Sequence, residues 1–169
     1  MFLRGAFFLL LTALLVGCTD DLSQTNGLTG FMSDDEFFPT VTPELRPFFI
    51  AFEEEAANRG LTFDLTELGV TGNIVELGNN SVLGVCRHNE NEPNRIAVDI
   101  DAWVDGSESL RELIVFHELG HCVLDRLHRD ESENGQCLSI MHSGLTDCIT
   151  PLSDPRFREQ YLDELFFFW

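Results

Sequence analysis

Apolar residues recur at three-to-four spacing between Pro43 and Arg59, where Leu45, Phe48, Phe49, Phe52 and Ala56 share one face of a helix. Thr42-Pro43-Glu44 reads as its start, a capping residue, then proline, then acid in the first turn, and Arg59-Gly60 reads as its stop. After Gly60 the period shortens. Strand formers between glycine and asparagine punctuation predict four short strands, at Leu61 to Leu65, Asn73 to Leu77, Ser81 to Arg87 and Arg95 to Asp101. Gly78-Asn79-Asn80 is a turn, and His88 to Asn94 is a polar loop with a surface histidine. Helical spacing returns in Leu110, Leu113, Ile114, Leu119 and Val123, opened by a capping box with Ser109 as N-cap and Glu112 three residues on. A last helix starts at Ser153-Asp154-Pro155 and carries Phe157, Tyr161, Leu165 and Phe168 inward. The terminal Phe166-Phe167-Phe168-Trp169 reads as core, with contact to a membrane or partner as the alternative.

The beginning of the chain follows different rules. Met1-Phe2-Leu3-Arg4 and the charge-free run Gly5 to Val16 form a secretory signal, since the run is shorter than the ~20 residues of a membrane span. Leu15-Val16-Gly17-Cys18 resembles a bacterial lipobox, which implies that Cys18 becomes the lipid-modified first residue. The polar stretch that follows suits a tether. The expected organisation is a signal peptide over 1–17, lipidated Cys18 and tether over 18–42, and a folded domain over 43–169. Such a protein is exported, at the outer membrane or cell surface rather than the inner membrane, monomeric, and touches the bilayer through its lipid alone.

Charge narrows the partners further. There are 29 acidic residues against 10 basic ones, all arginine, for a net charge of −19. Nucleic acid is excluded as a partner, because phosphate binding relies on a basic face. The acidity reads as solubility outside the cytoplasm, with calcium binding, for example by the loop Asp130 to Gly135, as the weaker alternative. Apart from Cys18 there remain Cys86, Cys122, Cys137 and Cys148, an even number in an oxidising compartment. Two disulfides are expected, preferentially Cys86 with Cys122 and Cys137 with Cys148. A thiolate zinc site is the lesser reading, since no C-x-x-C occurs.

The chemistry lies in Phe116-His117-Glu118-Leu119-Gly120-His121-Cys122, an H-E-x-x-H pattern on a helix. His117 and His121 are about 6 Å apart along the axis and about 40° apart around it, so both imidazoles reach one zinc ion. Glu118, displaced around the helix, can reach a water on that ion and act as general base. Catalytic zinc takes three protein ligands. His128 is the next histidine, but on a continuous helix it would lie about 10 Å beyond His121. The helix must therefore break between Leu124 and Arg126, and Asp125 is the candidate for a left-handed cap. Gly120, a poor helix former, suggests close approach of a neighbouring backbone.

These residues resemble the metzincin zinc metallopeptidases, marked by H-E-x-x-H-x-x-G-x-x-H and a Met-turn. Here the stretch runs from His117 through Leu124 to His128, followed by Leu138-Ser139-Ile140-Met141-His142-Ser143-Gly144. Leu124 stands where the family has glycine, His128 comes one residue later, and Ser143 replaces the tyrosine that some relatives carry. The resemblance implies that His117, His121 and His128 bind zinc, that Glu118 is the base, and that Met141 supports the metal from below. It implies an α+β domain: a twisted mixed sheet of about four to five strands with an N-terminal helix, an active-site helix and a C-terminal helix. It further implies that Ser81 to Arg87 is the sheet edge along which a peptide or protein substrate lies. The expected function is a lipid-anchored zinc endopeptidase. Two alternatives stay open: a gluzincin-like peptidase taking Glu159, in the E-x-x-x-D of Glu159 and Asp163, as third ligand, and a non-catalytic zinc-containing lipoprotein that binds peptide or glycan.

Overall fold

The computed structural model describes residues 40–79, 81–89, 92–144 and 152–167. The segment expected to be a signal peptide, Cys18, most of the expected tether, Cys148 and Phe168-Trp169 lie outside the described residues. A 3-10 turn at Pro43–Leu45 leads into helix α1, Arg46–Asn58. Three strands follow, β1 at Thr71–Val75, β2 at Gly84–Asn89 and β3 at Glu92–Asp99. Helices α2, Ile100–Asp105, and α3, Glu108–Leu124, come next. A hairpin of β4, Ser132–Glu133, and β5, Gln136–Cys137, precedes the last helix α4, Pro155–Phe167. The domain is α+β, with a mixed sheet in the order β1-β3-β2, where β1 runs parallel and β2 antiparallel to β3. α1, α3 and α4 share one core through Phe49, Phe52, Phe116, Leu119, Leu162 and Leu165. Among the described residues no helix is long and apolar enough to cross a membrane.

Several local signals resolve differently from the periodicity. Leu61 to Leu65 is not a strand, because Asp64 starts a turn: its carboxylate accepts the Glu67 N–H at 2.8 Å and its carbonyl the Leu68 N–H at 2.9 Å. The strand expected through Asp101 ends at Asp99. Its carboxylate caps α2, accepting the N–H groups of Asp101 and Ala102 at 3.0 and 3.3 Å, and also takes the Leu77 N–H at 3.0 Å. The N-cap of α3 is Ser107 rather than Ser109, its Oγ accepting the Leu110 N–H at 3.2 Å, while Glu112 instead receives Arg158 from α4 at 2.7 Å. The acidic loop after Asp130 becomes the β4–β5 hairpin, turned by Asn134 and Gly135, both at positive φ.

Candidate metal centre

The histidines come together because α3 stops where a carbonyl cap can form. Asp125 adopts a left-handed conformation, φ 50° and ψ 27°. The Gly120 carbonyl accepts the N–H groups of both Asp125 and Arg126, the latter at 3.0 Å. The chain then doubles back. Nε2 of His121 lies 3.0 Å from Nε2 of His117 and 3.2 Å from Nε2 of His128. These three are the one group of histidine, cysteine or acidic side chains among the described residues whose ligand atoms are close enough to hold a metal ion.

The tautomers follow from the other ring nitrogens. His117 Nδ1 donates to the Ile140 carbonyl at 2.9 Å and His121 Nδ1 donates to the Arg126 carbonyl at 2.6 Å. A carbonyl can only accept, so in the neutral rings each Nε2 presents a lone pair toward the other. Lone pairs this close repel unless a cation or proton lies between them. Tetrahedral nitrogen ligands about 2.0–2.1 Å from zinc stand about 3.3–3.4 Å apart. The observed separations of 3.0 and 3.2 Å approach that spacing, so the donor set suits a small divalent ion. Burial and the neighbouring imidazoles push the His117 pKa down to about 4, which favours the neutral, ligating form.

Glu118 projects from the same helix toward the sheet edge. It is 4% exposed, and burial, opposed by the Cys86 N–H hydrogen bond to it, pushes its pKa up to about 8. A cation next to such a carboxyl favours the ionised form. Gly84 lies against it, where a Cβ would meet Glu118 Oε1 at 2.8 Å and Ile114 Cγ2 at 2.9 Å. The disulfide between Cys86 and Cys122 joins this strand to α3. Cys137 is also disulfide-bonded, while Cys148 lies outside the described residues.

Met141 is fully buried beneath α3, and its sulfur explains Gly120: a Cβ there would meet Met141 Sδ at 2.6 Å. The glycine makes room for a side chain, rather than the backbone expected from the sequence. Glu159 and Asp163 lie elsewhere, bound to Arg59 at 2.8 and 2.9 Å, so the cluster draws its third imidazole from His128. His142 Nδ1 accepts the Gly144 N–H at 3.0 Å and does not join it. In the acidic loop, where calcium was the weaker alternative, Asp130 accepts the Ser143 N–H at 2.8 Å and Glu131 pairs with Arg129 at 2.6 Å. The Tyr161 hydroxyl donates to the Cys137 carbonyl.

A cleft of about 820 Å³ opens over the histidines, walled on one side by residues 81–86 and His88 and on the other by Asp125 to His128. Among the described residues β2 pairs with β3 alone, and its other edge lines this cleft. Missed by periodicity were the surroundings of the site, Gly84 and the Cys86 N–H on β2 and the buried Glu164 on α4. Glu164 alone carried a signal, an acid within the apolar face that Tyr161 and Leu165 define. Comparison with protein-family models, curated proteins and solved structures found no match to this chain. The functional reading therefore rests on the site itself.

Proposed function

We propose that the chain is a zinc-dependent endopeptidase, metzincin-like in its site plan, exported and held at the membrane by lipid on Cys18. The observation that carries the reading is the convergence of three imidazole Nε2 atoms beside a buried carboxylate from the same helix. A structural zinc site favours four protein ligands and has no use for that carboxylate. The second edge of β2, which no strand covers among the described residues, supports an extended peptide as substrate, since backbone hydrogen bonds can add a strand there. Val82, Leu83 and Leu127 supply apolar surface along the cleft for its side chains.

His117, His121 and His128 would hold the ion through Nε2. A zinc ion bound there would supply Lewis acidity toward the scissile carbonyl and toward water at the site. Glu118, steadied by the Cys86 N–H, takes the proton of the attacking water and delivers it to the leaving amide nitrogen. Gly84 leaves space for that carboxylate to stand next to a substrate lying on β2. Glu118→Gln keeps the shape and removes the base. Its expected result is unchanged zinc stoichiometry with peptide hydrolysis lowered at least about 100-fold, read on a mixed peptide library by mass spectrometry. A variant as active as its parent would sink the mechanism and favour a binding protein.

A further inference from the structure

One buried charge has no part in those steps. Glu164 on α4 is 9% exposed, and its carboxylate receives donors from two separate stretches of chain. From the stretch after α3, the Arg126 guanidinium donates to Oε1, and Arg129 Nη1 donates to the same oxygen at 3.1 Å. From the Met141 turn, Ser139 Oγ donates to Oε2 at 2.7 Å and itself accepts the Met141 N–H at 2.9 Å. Arg126 also donates through Nη1 to the carbonyls of Glu164 and Leu165, at 2.9 and 2.7 Å.

The same two stretches aim the imidazoles. The first supplies His128 and the Arg126 carbonyl that receives His121 Nδ1–H, and the second supplies the Ile140 carbonyl that receives His117 Nδ1–H. We propose that Glu164 is a positioning residue for the metal ligands: its one carboxylate sets the distance between these two carbonyls and thereby the directions of His117 and His121. This rests on reading the three histidines as a metal site. Packing alone does not account for the residue, since an apolar side chain of its size would dock α4 without burying a charge. What the carboxylate adds is several acceptor sites on one rigid group, holding two guanidinium groups and a hydroxyl together. A glutamine amide has one acceptor oxygen and turns N–H groups toward a neighbouring donor.

The test compares the full-length parent, Glu164→Gln and Arg158→Gln. Arg158 also ties α4 to the domain, binding Glu112 and Glu55 at 2.7 Å each, and its ion pairs among the described residues reach neither stretch. Each protein is stripped with chelator, titrated with zinc against a chromophoric chelator, and separately loaded with cobalt(II) for its ligand-field spectrum. The parent is expected to bind one equivalent, and Glu164→Gln to bind about tenfold more weakly with an altered cobalt spectrum. Arg158→Gln is expected to lose stability while keeping the parent's affinity and spectrum. Equal affinity and spectrum in Glu164→Gln and parent overturns the proposal and leaves the zinc site standing. An equal loss in Arg158→Gln also overturns it, since helix docking would then suffice. A parent that binds no zinc overturns both readings. Should Glu164→Gln not fold, Ser139→Ala removes one arm of the same link, and unchanged zinc affinity there overturns the proposal.

Discussion

A methyl group at position 120 would enter the space of the Met141 sulfur, 2.6 Å away, and come within 3.2 Å of Leu165 Cδ1. Alanine is about 1 kcal/mol better than glycine within a helix, whereas overpacking a filled core costs about 1–3 kcal/mol. Gly120→Ala is therefore expected to destabilise the domain by about 1 kcal/mol in chemical denaturation. In a Met141→Ala background the same change should be neutral or stabilising. A double-mutant cycle measures the coupling, and additive effects would mean that Met141 does not set the requirement for glycine. At this scale His117, Glu118, His121 and Met141 were legible, because spacing along a helix and a short turn motif announce them. Glu164 showed only as an acid within an apolar face, since the donors that reach it are brought there by the fold.

At the scale of elements, the decisive event is the end of α3. Asp125 at φ 50° reverses the chain early enough for His128 to meet His121. Left-handed backbone costs most residues about 1–2 kcal/mol, is free for glycine and is least tolerable for β-branched side chains. Asp125→Gly should retain the parent's zinc affinity and stability. Asp125→Val should lower stability by about 1–2 kcal/mol and weaken zinc binding, both read in one zinc-dependent melting series. Equal zinc affinity in the two variants would show that the cap does not govern the third ligand. Helix boundaries were legible only where a cap competes with nothing else. Glu112 satisfied the capping-box pattern and yet pairs with Arg158, and strand formers around Phe63 gave way to the turn at Asp64.

For the whole molecule, an ion held by His117, His121 and His128 would join α3 to the segment after it and, through the Ile140 carbonyl, to the Met141 turn, so zinc should stabilise the folded state as a ligand does. At free zinc about 100-fold above its dissociation constant the gain is about 2.7 kcal/mol, or about 10 °C in melting temperature for a domain of this size. Calorimetry with and without chelator checks this, and an unchanged transition would count against the centre. The helical H-E-x-x-H, the need for a break after Leu124 and the α+β class could be read from the chain, because periodicity, capping and residue chemistry act over a few turns, whereas Cys86 with Cys122 was a preference among three connectivities that the fold decided. Tertiary structure decided what lies opposite each of those groups. The acceptor for His117 Nδ1 comes from 23 positions away, and Glu164 is 38 from Arg126 and 25 from Ser139. β2 had to pack across α3 before Gly84 and the Cys86 N–H could meet Glu118. Hydrogen bonds and close packing extend only a few ångströms, so partners this distant in sequence are chosen by the fold.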